Sequence, residues 1–170
     1  MRGRRRKYPL ASENPVSANK IVAHDDRHLV FSAYFHQGGQ VMSMNLETRR
    51  VTDESRSPWY EEPEGVDPQG EYVLVERDLS IMIYPGELDI WQLRLDGEGG
   101  FRRLTTFNHY KGYGATNPVV SPDGGLVAFQ MEKAGSEHGE GHGLFVFDLA
   151  AWSPQAPPYE PDPFRTPQRP

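Results

Sequence analysis

The sequence predicts an all-β protein, a partial β-propeller of about three four-stranded antiparallel blades with the last blade incomplete. The first observation behind this is a tight turn with an apolar run after it, present at Ala23 to Phe31, Asp67 to Val75 and Ser121 to Phe129. The second is that each run is followed, after a loop of variable length, by a strand of alternating character: Gln40 to Leu46, Asp89 to Leu95 and Gly143 to Leu149. The third is that no stretch sustains a period of about 3.6 residues, so helices are expected to be scarce. Four short strands per unit, repeating every ~40–50 residues, is the pattern of propeller blades.

Residues 1–19 read as a basic, poorly ordered N-terminal segment. Arg2, Arg4, Arg5, Arg6 and Lys7 crowd its start, which suits a solvated terminus, with an RNA-binding or targeting tail as the competing reading. Residues 20–149 hold the three blades, placed at 20–59, 60–113 and 114–149. The first two close alike, with Thr48-Arg49-Arg50-Val51-Thr52 matching Phe101-Arg102-Arg103-Leu104-Thr105, each after a polar turn (Asn45 to Thr48, Asp96 to Gly100). The third contains the clearest hairpin. Pro122 presets φ for the first central position of a turn and Asp123-Gly124 tolerate positive φ, so Ser121 to Gly125 should reverse the chain. Phe129 and Phe145 are expected core residues. After Leu149 the fourth strand is replaced by Ala150-Ala151-Trp152-Ser153, and residues 150–170 form a Pro-rich tail with seven prolines in the last twenty positions. Such a composition resists sheet pairing and predicts an extended or disordered terminus, with a Pro-rich recognition segment as the alternative.

With 18 basic and 24 acidic side chains the formal net charge is −6, and the cluster at the start makes the body more acidic still. A nucleic-acid groove is excluded as an expectation, because phosphate binding needs a cationic surface. There is no cysteine, so neither disulfides nor thiolate metal sites enter. No apolar run approaches the ~20 residues needed to span a bilayer, so no membrane insertion is expected. No apolar stretch follows the arginines, so the chain as given shows no export signal.

In an up-and-down blade the loops joining strands two to three, and one blade to the next, gather on one face. Here those segments are the long ones: Tyr34 to Gly39, Asp53 to Pro63, Arg77 to Leu88, Phe107 to Thr116 and Glu132 to Gly141. Variable loops on a rigid scaffold are where binding residues concentrate. The candidate ligand-binding set is His36, Trp59, Tyr60, Glu61, Glu62, Glu64, Arg77, His109, Tyr113 and His142. Aromatic faces interleaved with carboxylates and imidazoles suit a polyol, the rings covering CH groups and the polar groups taking hydroxyls. The competing reading is that Trp59 and Tyr60 plug the gap between adjacent blades. Ser136 to Gly143 places two imidazoles and two carboxylates close together. A Gly-rich loop does not hold them on one face, so it reads as a polar loop and no metal site is assigned. Ser121 is a turn residue, since no Gly-x-Ser-x-Gly elbow surrounds it. No catalytic residue and no cofactor is assigned.

The turns, the Asp89-Ile90-Trp91 and Leu144 to Leu149 strands, the Arg-Arg-Leu-Thr closure, and the stretches Glu62-Pro63-Glu64-Gly65, Asn117 to Ser121 and Ala128-Phe129-Gln130 resemble the WD-like repeats of TolB-type propellers over Lys20 to Leu149. The resemblance implies a bacterial envelope protein, periplasmic or secreted, and implies no activity. The expected function is a non-catalytic module that binds a small polar ligand, such as a carbohydrate, or a partner protein. The alternative is a metal-dependent lyase or hydrolase of oligosaccharides, in which His36, His109 and His142 would hold the metal and Arg77 would clamp substrate. Closed propellers carry four to eight blades. Three are therefore expected either to be part of a longer propeller or to pair with a second copy.

Overall fold

A computed structural model describes residues 17–23, 27–34, 39–79, 87–137, 140–152 and 156–163. Expectations placed on 1–16, His24, Phe35, His36, His138 and 164–170 lie outside the described residues. The chain is a succession of antiparallel hairpins. In order the strands are β1 (Ser17–Ala23), β2 (His28–Tyr34), β3 (Gly39–Asn45), β4 (Val51–Asp53), β5 (Tyr60–Val66), β6 (Tyr72–Asp78), β7 (Asp89–Arg94) and β8 (Gly100–Arg103). A 3-10 turn at Phe107–His109 leads to β9 (Tyr113–Val120), β10 (Leu126–Lys133), β11 (Leu144–Asp148), a short helix α1 (Leu149–Trp152) and β12 (Glu160–Pro161).

Among the described residues there are two sheets, neither closed on itself. One runs β1-β2-β3-β5-β6-β7-β8-β12 with β4 paired to β3, and the other runs β11-β10-β9. The first is continuous only through a single parallel bridge, Gly39 to Tyr60. Gly39 permits a close approach there, since a Cβ would stand 3.3 Å from the Tyr60 ring. The expected all-β class and the scarcity of helix are observed, and the architecture is that of a partial propeller.

Where the sequence marked a turn, the structure supplies the matching bonds. At the β9–β10 reversal the Gly124 N–H donates to Ser121 O at 2.8 Å and the Ser121 N–H to Leu126 O at 2.8 Å, with Gly124 at φ 75°. The Asp67 to Glu71 turn repeats the design. Its Asp67 carboxylate accepts the N–H groups of Gln69 and Glu71 at 3.1 Å each, and Gly70 has φ 72°. Asn45 does the same between β3 and β4, accepting the Thr48 N–H at 2.8 Å.

Strand β5 was expected to be largely loop, and its position corrects that reading. A Glu-rich segment with a proline has weak strand propensity, since proline cannot donate to the ladder. The structure accommodates Pro63 with a register shift between Pro63 and Gly65 against β6. Strands β6, β9 and β10 likewise extend into segments expected as loops, so Arg77, Tyr113 and Glu132 lie in strands.

The core is divided into two. Tyr72, Leu74, Ile90, Ala115, Val127, Phe129 and Leu149 pack between the β5–β8 unit and the β9–β11 unit. Val30, Val41, Val73, Val75, Leu93 and Phe101 pack between the β5–β8 unit and β2–β3. Alternate residues of β6 go to opposite clusters because strand side chains alternate faces, and every position of β6 is buried. Strand β11 departs from expectation. Leu144 is 77% exposed and Val146 63%, and the expected core residue Phe145 is 38% exposed, against 5% for Phe129. The reason is positional: β11 is the outer strand of its sheet and has β10 as its sole strand partner among the described residues. Phe145 keeps one face covered by stacking on Phe129 at 5.6 Å and meeting Phe107 edge-on at 5.2 Å.

Two stability outcomes follow from these environments. Phe129→Ala is expected to cost about 3–5 kcal/mol, and Phe145→Ala clearly less, in chemical denaturation of the two variants side by side. Gly124→Val is expected to cost about 1–3 kcal/mol through positive-φ strain, read as a lowered melting temperature with no new cavity to fill.

Candidate functional site

Strand geometry splits the expected site before any chemistry is considered. Glu61 pairs with Arg77 and Glu62 with Glu76 across β5 and β6, so consecutive residues fall on opposite faces of the sheet. Glu61 and Arg77 share the face of Val73 and Val75. Tyr60, Glu62 and Glu76 share the face of Tyr72 and Leu74.

On the first face Arg77 is the organising group. Its guanidinium is buried, donates from Nε to Glu61 Oε1 at 3.1 Å, and donates from Nη2 to Asp162 Oδ2. It also lies 3.9 Å from the Phe101 ring centroid and 5.1 Å from that of Trp91. The planar fork of arginine suits this combination of two carboxylates and two rings. Ser57 donates to Glu61 Oε1 as well, while Glu61 Oε2 is buried with no hydrogen-bond partner among the described residues. Burial pushes the Glu61 carboxyl up to about 7, outweighing the attraction of Arg77 and the Ser57 hydrogen bond. Trp59 is half-buried beside this group and lines a 540 Å³ groove with Arg77, Trp91 and Phe101.

Asp162 comes from the tail, which corrects the expectation that this composition would not pair. Glu160 and Pro161 lie antiparallel to Phe101 and Gly100 at the edge of β8. An edge is the position where a proline's missing donor is tolerated. Tyr159 donates its hydroxyl to Gln92 at 3.3 Å and its ring lies 4.0 Å from the Arg102 guanidinium.

On the second face the Tyr60 hydroxyl donates to Glu62 Oε2, and the Asn117 N–H donates to Glu76 Oε1. The carboxylate oxygens of Glu62, Glu64 and Glu76 lie within 4.8 Å of one another. They form the one group of three potential metal ligands among the described residues, and no histidine belongs to it.

The remaining expected residues stand apart. His109 is exposed at the end of the 3-10 turn, and Tyr113 opens β9 with Lys133 Nζ 5.9 Å from its ring centroid. Tyr113 lines a 430 Å³ cleft with Leu104, Phe107, Phe129, Met131 and Phe147, and Tyr110 stands at its rim. His142 sits between β10 and β11, its Nε2 2.5 Å from Ser136 Oγ. The nine of these residues that are described therefore do not converge on one site.

Sequence reasoning missed Asp162, Tyr159, Trp91, Phe101 and Asp89. Asp89 is fully buried; Oδ1 accepts from Thr105 Oγ1 at 2.6 Å and from the Phe107 N–H at 2.8 Å, and Oδ2 accepts from Arg103 at 2.6 Å. It thereby ties the start of β7 to the loop after β8. No local signal marks Asp162, whose partner is far away in sequence.

No protein-family model matches the chain, and no curated protein matches it. Solved structures do. The crystal structure of TolB from Acinetobacter baumannii is similar with a TM-score of 0.53 and 22% sequence identity, over 72% of this chain and 27% of that one. A structure assigned as TolB from Agrobacterium tumefaciens is similar with a TM-score of 0.56 and 19% identity, over 73% of this chain and 42% of that one. The chain has a TolB-type fold, and it spans 27% and 42% of those two proteins.

The Glu61 environment sets a pH dependence. Its carboxyl titrates near 4.5 in an unstructured chain and at about 7 in the fold. Between those values the folded state holds a proton that the unfolded state has lost, so stability falls as pH rises through this window and levels off above it. The burial-raised Glu54 acts in the same direction. Glu61→Gln is expected to flatten the profile, removing on the order of 3 kcal/mol of pH-dependent loss, read from denaturant midpoints between pH 5 and pH 8.

Proposed function

We propose that the chain is a non-catalytic, protein-binding part of a TolB-like β-propeller that works in the periplasm or outside the cell. In this reading β1–β4, β5–β8 and β9–β11 are successive blades, and the open edge of β11 is where a further strand pairs, whether from more of the same propeller or from a second copy. An exposed apolar edge strand is a template for such pairing.

The observation that carries the binding role is the cleft beside the 3-10 turn. It is lined by Leu104, Phe107, Phe129, Met131 and Phe147. Tyr110 stands at its rim, 70% exposed. Open apolar pockets rimmed by tyrosine suit the anchoring side chain of a partner protein. A polyol is served less well, because the lining offers few polar groups, namely Thr105, Thr106 and two tyrosines, and Thr105 already donates to Asp89. The candidate acids and bases are engaged within the fold: Arg77 with Glu61 and Asp162, and Asp89 with Arg103. A lyase reading places its metal on His36, His109 and His142, of which His109 ends the 3-10 turn and His142 meets the Ser136 hydroxyl.

The test is an affinity capture from envelope extract with the wild-type chain and with Tyr110→Glu. The expected outcome is a protein partner retained in the presence of free oligosaccharides and weakened about tenfold by the substitution. Displacement by sugars, or the appearance of unsaturated uronate absorbance on incubation with acidic polysaccharide, would overturn the reading.

A further inference from the structure

The edge of β8 and the arginine beneath it hold a segment of this chain as a binding groove holds a peptide. Residues 156–163 approach from the tail, and three contacts fix them. Glu160 and Pro161 add a short antiparallel rung to Phe101 and Gly100. Tyr159 lies between the guanidinium groups of Arg102 and Arg94, at 4.0 and 5.6 Å, with its hydroxyl on Gln92. Asp162 reaches down to Arg77, in a socket walled by Trp91 and Phe101. Backbone pairing at an edge, with side chains on both sides of the rung entering separate pockets, is how sheet edges recognise extended peptides.

We infer that this groove is an exchangeable peptide site, specific for an extended segment that presents an aromatic residue and, three positions later, a carboxylate beside proline, with the chain's own Tyr159-Glu160-Pro161-Asp162 as its resident occupant.

Charge and composition support exchange over permanent attachment. The groove supplies Arg77, Arg94, Arg102 and Arg103, and the occupant supplies Glu160 and Asp162. Within the socket, however, Arg77 is shared by two buried carboxylates, and Glu61 retains an unpartnered oxygen. Two acids against one base in a desolvated site is an unbalanced arrangement. When Asp162 leaves, Glu61 keeps Arg77 paired, so departure of the tail strands no cation. The adjoining 540 Å³ groove is lined by Trp59 and Leu79 together with Pro157, Pro158 and Pro163, so open space remains beside the docked segment. A proline-rich strand loses little conformational entropy on docking, which lets a few contacts hold it. The site is separate from the tyrosine-rimmed cleft, and its occupancy does not depend on that cleft having a partner.

The experiment uses the chain of residues 1–170 and a fluorescent peptide of residues 156–163 followed by anisotropy. In the variant Tyr159→Ala/Asp162→Ala the tethered occupant is weakened, and the peptide is expected to bind at least about tenfold more tightly than it does to wild type, where the tail competes at high effective concentration. A peptide carrying Asp162→Asn is expected to lose about tenfold on the same variant. Excess wild-type peptide is expected to raise amide exchange at Tyr159, Glu160 and Asp162 in the unmodified chain. Three results would overturn the proposal: a folded double variant that fails to bind at ~1 mM peptide, a tail whose exchange is unmoved by peptide, or a double variant that does not fold. The last would make the segment an integral strand.

Discussion

Strand β6 is buried at all seven of its positions, and the arrangement of the rest follows from that one constraint. A strand covered on both faces needs a packed layer on each side, so Tyr72 and Leu74 call for β9–β11 and Val73 and Val75 call for β2–β3. Each fully buried aliphatic side chain is worth roughly 1.5–3 kcal/mol relative to exposure. The two clusters therefore hold three units face to face without extensive backbone pairing between them, and the first is joined to the second by the bridge from Gly39 to Tyr60 and by the Gly97 N–H on Glu54.

The same strand ends in charge. After Val75 its residues are Glu76, Arg77 and Asp78, all buried, so the apolar layers give way to polar ones towards one end of the sheet. Buried charges persist where they are paired and hydrogen-bonded. Arg77 meets that requirement with Glu61 and Asp162, and Asp89, at the start of β7 beside it, meets it with Arg103, Thr105 and two backbone N–H groups. Glu54 plays the corresponding part between the first two units, accepting from Ser43 and from the Gly97 N–H at 2.7 Å. These groups resemble a catalytic inventory in composition. In geometry they join strands to loops.

How far the sequence could be read depended on the range of the interaction. Turns were legible because their chemistry is local: Pro122-Asp123-Gly124, Asp67 to Gly70 and Asn45 to Thr48 each satisfy their own backbone within five residues. The closures of the first two units were legible as a feature and not in register: Ser55 Oγ accepts the Val41 N–H as Thr105 Oγ1 accepts the Ile90 N–H, so Ser55 and not Thr52 stands where Thr105 does. The β5 strand was not, since Glu61 to Gly65 has the composition of a loop and becomes a strand by pairing with β6. The candidate site was legible as a list of residue types and not as a place. Tyr60, Glu61 and Glu62 are adjacent in sequence and belong to opposite faces of a sheet.

By itself the sequence determined an all-β chain of repeated hairpins, its turn positions, and the apolar runs that had to be buried, because these depend on backbone preferences and a two-residue alternation that any short window displays. Tertiary structure alone decided which runs found cover. It left Phe145 and Val146 on an outer strand while burying Phe129 one strand in. It also brought Asp162 to Arg77 from 85 residues away, since a partner's position in sequence places no limit on its position in a folded sheet.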